Sequence, residues 1–109
     1  MKTSNTQIQM RKGILEFCIL HIISRGDVQA NDMIDELKEA NLLMVEVTLY
    51  PLLSRLKNAS LVSYKWVESE YGPPKKFYSI TMAGGEFLGE LNSTWASLLQ
   101  SVKQITIKH

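Results

Sequence analysis

Cysteine occurs once in the 109 residues, as Cys18. A lone thiol excludes an internal disulfide and fits a reducing interior, which makes the cytoplasm the expected compartment. Histidine is nearly as scarce. Cys18 and His21 are three apart and share a helix face, but two soft ligands without partners elsewhere do not make a zinc site. They read as a packed thiol and a satisfied imidazole, and no metal is expected. The chain has no glycine-rich phosphate loop, and Cys18, His21, Glu16 and His109 supply no set of nucleophile, base and orienting group. Neither catalysis nor a cofactor is expected. The longest apolar run, Ile14 to Ile23, is interrupted by Glu16 and His21 and is too short to span a bilayer. No small-residue cleavage site follows a charged leader, so neither export nor membrane insertion is expected. Repeats and low-complexity tracts are absent, and the length suits one domain with a modest core.

Charge is present in both signs but is unevenly placed. The net value of +1 divides into +3 over residues 1–26, −5 over 27–46, +3 over 47–79 and zero beyond. Two basic segments beside an acidic one can set up an oriented field on a nearly neutral chain.

The stretch from Thr48 to Val62 organises the rest. At about 100° per residue, Leu52, Leu53 and Leu56 fall within roughly 60° of Leu49, while Val47, Pro51, Ser54 and Asn58 lie opposite. Pro51 lacks an N–H and belongs near a helix start, so the helix is expected to begin at Glu46 to Thr48 and run to about Asn58. Thr48, Tyr50, Ser54, Arg55 and Lys57 flank its outer face with hydroxyls and two cations. Such groups donate to phosphate and, for Arg55, to base edges. Taken alone, this is also an ordinary amphipathic helix with a solvated polar side.

Ahead of it, Met1 to Thr6 is polar and expected to be mobile, and Gln7 to Ser24 reads as a helix apolar nearly all round, hence buried on more than one side. Arg11 and Lys12 precede its apolar run, where they can face solvent or phosphate. Gly26 stops the helix and Asp27 is placed to cap the next one. Between Val28 and about Asn41, Ala30, Met33, Ile34, Leu37 and Ala40 recur at helical spacing with acids outside. Leu42 to Val45 connects it to the third helix. Helix, connection and helix in a row is the order of a helix-turn-helix unit.

After Asn58-Ala59-Ser60, Val62, Tyr64 and Trp66 alternate with Ser63 and Lys65 in strand period, and Lys76 to Ile80 answers as a second strand. Glu70 to Lys75 is turn chemistry, so Lys75 and Lys76 are expected at the end of a projecting hairpin tip, suited to phosphate contact. A solvated edge hairpin has the same pattern, with lysines that deter aggregation. Tyr64, Trp66, Phe77 and Tyr78 are expected to hold the strands together. Thr81 can cap a final helix that begins poorly at Gly84 and Gly85 and continues to about Ile105. Within it Leu88, Leu91, Trp95, Leu98, Val102 and Ile105 form a heptad seam, whose outer half suits a second chain and whose inner part, Phe87 to Leu91, suits the first helix.

The expected fold is mainly α with a small β part: a winged helix-turn-helix over residues 1–80, with a dimerisation helix at 81–109 completing one structural unit. The chain resembles the PadR family of bacterial transcriptional regulators from about Arg11 to Val102. The resemblance is carried by Gly13-Ile14-Leu15, by Thr48-Leu49-Tyr50-Pro51-Leu52-Leu53-Ser54-Arg55-Leu56, by Gly72-Pro73-Pro74-Lys75-Lys76-Phe77-Tyr78 and by Ile80-Thr81 with Gly84. It implies a homodimeric repressor of double-stranded DNA, with the third helix in the major groove and the wing along the backbone or minor groove. On matching positions it implies Thr48, Tyr50, Pro51 and Ser54 at the DNA surface and Lys75 and Lys76 on phosphates. It also implies Trp95 at the dimer interface, beside a pocket for a small hydrophobic effector, within the seam of Leu91, Leu98 and Val102. Four positions depart from the family pattern: Asn31 for tyrosine, Val47 for glycine, Ser60 for glycine and Lys75 for arginine. The alternative reading is a winged-helix module that binds protein and not DNA.

Overall fold

In the computed structural model the described residues are 3–42 and 44–108, with the backbone alone for residues 3–12. The expectations placed on Met1, Lys2 and His109, on Leu43 in the connector and on the side chains of Arg11 and Lys12 lie outside them. Four helices and one hairpin follow in the expected order: α1 (Thr3–Ser24), α2 (Ala30–Glu39), α3 (Glu46–Asn58), β1 (Val62–Val67), β2 (Lys75–Ile80) and α4 (Met82–Ile107). The first helix begins earlier than expected, since no proline or glycine stands between Thr3 and Lys12 to stop it. Its Ile19, Leu20, Ile22 and Ile23 are buried, in the same cluster as Met33 and Leu37 of α2 and Leu49, Leu53 and Leu56 of α3.

Both α2 and α3 end in the same way. Asn41 and Ser60 take left-handed φ values of 63° and 62°. Around Ser60, the Leu61 N–H reaches the Leu56 carbonyl at 3.0 Å and the Ser60 N–H reaches that of Lys57 at 2.9 Å. Leu42, Asn41, Leu37 and Lys38 repeat the pattern at the end of α2. These are Schellman caps, in which a half-buried leucine beyond the cap (Leu42, Leu61) closes on the core. Ser60 thus occupies a left-handed position where a glycine would carry no Cβ penalty.

The N-cap of α2 departs from expectation. Gln29, not Asp27, precedes the helix and offers no side-chain cap. Val28 instead pairs with Tyr78, its N–H donating to the Tyr78 carbonyl at 3.1 Å and its carbonyl accepting from the Tyr78 N–H at 2.8 Å. A single residue thus adds a third strand position beside β2, and it draws Asp27 toward the wing.

At the start of α4, Thr81 Oγ1 accepts from the Gly84 N–H at 2.9 Å and donates to the Ser60 carbonyl at 2.7 Å. Gly84 is buried, and a Cβ there would collide with the Leu61 carbonyl and the Ile80 side chain. The glycine that weakens the helix by propensity lets α4 seat on the corner between α3 and β1. Gly85 has open space around its Cα. Gly84→Ala should therefore cost more than about 2 kcal/mol and lower the melting temperature by several degrees. Gly85→Ala should raise stability by about 0.5–1 kcal/mol, and thermal unfolding of the pair checks both.

Candidate nucleic-acid interface

The buried leucines of α3 leave three stripes outside. Tyr50, Ser54 and Lys57 face the wing, Pro51 and Val47 point straight out, and Thr48 and Arg55 lie on the side of α1. Arg55 donates to Glu16 of α1 at 2.7 Å, with both side chains solvent-accessible. Of the cations on α3, Arg55 is therefore already engaged. Pro51 sits in the second turn, later than a helix start requires, and has no N–H for the Val47 carbonyl. Val47 is 84% exposed, so this missing bond falls on the outer face, where water or a ligand can supply a donor.

The wing is an antiparallel pair with Val62 opposite Ile80, Tyr64 opposite Tyr78 and Trp66 opposite Lys76. This register corrects two expectations. Phe77 faces Lys65 on the other side of the hairpin, so of the expected aromatic contacts between strands only Tyr64 and Tyr78 meet, with ring centroids 6.0 Å apart. Lys76 is in the second strand as expected, and Lys75, expected in the turn, joins it there instead of standing at the projecting tip. The ladder begins at Lys75, the first residue after Pro74 with an N–H to give, so both lysines belong to β2 and the tip is left to residues 68–74. Lys75 is exposed opposite Val67, whereas Lys76 is half-buried with its ammonium 4.0 Å from the Tyr64 ring centroid and 5.2 Å from that of Tyr78.

Two adjoining clefts separate the wing from the helices. One, of about 510 Å³, runs from Gln29 and Asn31 past Tyr50 to the Tyr71–Lys76 side of the wing. The other, of about 250 Å³, lies between Ser54, Lys57 and Asn58 of α3 and Tyr64 of β1. Lys76 and Tyr78 line both. Among the described residues the ion pairs are Arg25–Glu36, Arg55–Glu16 and Lys65–Asp27, so Lys57, Lys75 and Lys76 carry no carboxylate partner. The acids of α2 stay on its outer side. In the sequence Lys57 stands out only as a flanking charge and Tyr64 only as a cross-strand contact. Their place on one groove depends on how far apart α3 and the wing stand, which no local pattern encodes.

The remaining expected residues lie elsewhere. Leu91 is half-buried against the core, whereas Trp95, Leu98 and Val102 on the outer half of α4 are 41%, 57% and 54% exposed. Trp95 touches Phe17 of α1, ring centroids 5.9 Å apart, and His21 donates to Asn92 Oδ1 at 2.8 Å. Gly13, Ile14, Phe17, Leu91, Trp95 and Leu98 border an apolar cavity of about 250 Å³. Cys18 packs nearby, and burial pushes its thiol above the ordinary value, away from the reactive thiolate. No cluster of potential metal ligands occurs among the described residues, and no helix there is long and apolar enough to cross a membrane.

A helix-turn-helix, a two-stranded wing and an appended long helix define a winged helix-turn-helix protein. A model of the transcriptional regulator PadR-like family matches residues 19–90, and the chain belongs to that family, which is one of regulators and not of enzymes. A PadR-like transcription factor from Bacteroides fragilis is 52% identical, with a TM-score of 0.79 over 93% of this chain and 98% of that one. A PadR-like transcriptional regulator from Bacillus cereus is 33% identical, with a TM-score of 0.83 over 93% and 99%. Bacillus subtilis PadR, solved in complex with operator DNA, shares the fold at 21% identity, with a TM-score of 0.65 over 72% of this chain and 46% of that one.

The wing is braced by Asp27, which accepts from Ser79 Oγ at 2.6 Å and pairs with Lys65 Nζ at 2.9 Å. The Ser79 hydroxyl and then Lys65 hold the Asp27 carboxyl below its ordinary value. A carboxylate with a depressed folded pKa stabilises above its unfolded value and loses that contribution as pH falls through the folded one. Asp27→Asn should therefore be less stable than the parent above about pH 4, with the gap closing at lower pH. Urea melts of both proteins across that range measure it.

Proposed function

We propose that the chain is a DNA-binding regulator of transcription that acts as a cytoplasmic homodimer and represses by occupying double-stranded operator DNA. The observation that carries this reading is the groove between α3 and the wing, where Lys57, Lys75 and Lys76 stand without acidic partners beside the hydroxyls of Tyr50 and Ser54. Cations without partners in a groove bordering a recognition-type helix suit a phosphate backbone. Thr48, Tyr50, Pro51 and Ser54 would meet the DNA surface, Lys75 and Lys76 the phosphates, and Arg55 a flanking strand, where its pair with Glu16 competes. A fold shared with an operator-bound relative supports the docking of α3 in a major groove.

The dimer would form along Trp95, Leu98 and Val102, with Leu91 at the inner end. Side chains of this size, exposed at heptad spacing, mark an association surface. The cavity beside Trp95 would take a small hydrophobic effector, which changes DNA affinity only if it binds two dimer arrangements unequally.

Fluorescence anisotropy on a labelled duplex from upstream of the protein's own coding region, titrated in salt against random competitor, tests the reading. Competitor-resistant binding is expected, and no binding to any duplex at low salt would overturn it. Lys75→Ala should weaken binding to all sequences alike and make the salt slope shallower by about one. Leu98→Asp with Val102→Asp should yield monomers in sedimentation equilibrium and abolish binding to paired half-sites.

A further inference from the structure

Lys76 is packed in an unusual way for a lysine expected to reach out to DNA. Its ammonium lies 4.0 Å from the Tyr64 ring centroid, 5.2 Å from that of Tyr78 and 5.6 Å from that of Trp66. The Lys57 ammonium, from the last turn of α3, is 5.2 Å from the same Tyr64 ring. Two like charges thus lie against one aromatic ring, and among the described residues no carboxylate is paired to either. The π face of an aromatic ring attracts a cation and offsets part of the mutual repulsion. Each ammonium keeps N–H donors free for a further partner. Ser54 and Asn58 of α3 also line the cleft and add a hydroxyl and an amide to it.

We infer that Tyr64 is a positioning residue that gathers Lys57 and Lys76 into a single site for one DNA backbone phosphate, bridging α3 and the wing. The inference rests on the DNA-binding reading and deepens it. Without the ring, two flexible side chains would repel and disperse. With it, one phosphate oxygen pair can meet both ammonium groups, which fixes the reading helix and the wing on the same strand. A shared site differs from two independent phosphate contacts in a measurable way, because losing either lysine forfeits the same phosphate.

The test uses the full chain and a random duplex, so that it does not depend on knowing the operator. In the free protein, the Lys76 ε-methylene resonance should be shifted upfield by ring currents in the parent and in Tyr64→Phe, and should move toward the ordinary lysine position in Tyr64→Leu, where only the more distant Tyr78 and Trp66 rings remain. The slope of log affinity against log salt should fall by about 0.9, the equivalent of one phosphate, in Tyr64→Leu and stay at the parent value in Tyr64→Phe. Lys57→Ala, Lys76→Ala and the double variant should each lose that same increment. A double variant losing twice as much, a Tyr64→Leu slope equal to the parent's, or an unshifted Lys76 resonance would overturn the shared site while leaving the protein a DNA binder. A parent that binds no duplex at low salt would overturn the DNA-binding reading and the shared site with it.

Discussion

The rotation of α3 about its own axis decides which side chains the molecule offers outward, and three leucines set it. Leu49, Leu53 and Leu56 are at most 1% exposed, packed in one cluster with Ile19, Ile23 and Met33. Burying each contributes about 1.5–3 kcal/mol, so the trio amounts to roughly 5 kcal/mol or more, comparable with the whole net stability of a small domain. A turn of α3 by one residue would expose them and bury hydroxyls or charges. Tyr50, Ser54 and Lys57 therefore face the wing because the leucines leave no other arrangement, and Arg55 meets Glu16 for the same reason.

The wing needs a second constraint, since a two-stranded hairpin is marginal by itself. Tyr78 supplies it. The residue is 3% exposed, exchanges both backbone bonds with Val28 and meets Tyr64 across the ladder in a tilted ring pair. Asp27, next to Val28, ties down Ser79 and Lys65. The stem of the hairpin is thus fixed to the turn between α1 and α2, while Tyr71 at its tip is 93% exposed. A fixed stem sets the width of the groove, and the groove is where the lysines without partners stand.

Much of this was legible in the chain. The start of α3 at Glu46, the Thr81 cap and the spacing of the leucines follow from periodicity and capping chemistry, which act within a few residues. The left-handed φ of Ser60 was not read from the chain, where the residue stands only as a departure from the family pattern. The contacts that escaped are each a single residue wide: Val28 on Tyr78, Asp27 on the wing, Arg55 on Glu16 and Lys76 over the aromatic rings. A one-residue strand has no period, and an ion pair between residues 39 apart leaves no trace in either neighbourhood. Gly84 was visible as a poor helix former, but the reason for it, the Leu61 carbonyl against its Cα, lies in the packing.

The same α1 turn that meets α3 also meets α4. Glu16 holds Arg55, Phe17 packs on Trp95, and His21 one turn later bonds Asn92. If α4 pivoted, the displacement would arrive at Phe17, adjacent to Glu16, which pairs with Arg55 of α3. The Glu16–Arg55 pair is solvent-accessible and worth at most about 1 kcal/mol, enough for roughly a fivefold change in affinity and no more. A larger response would have to travel through the apolar contacts. Ile19, Leu20 and Ile23 share one cluster with Leu53 and Leu88, so a tilt of α1 would be felt in the core that α3 and α4 share. Close-packed interiors move between discrete arrangements and do not deform smoothly. The buried side of α1, more than its exposed ion pair, is therefore the element able to link the outer half of α4 to the groove between α3 and the wing.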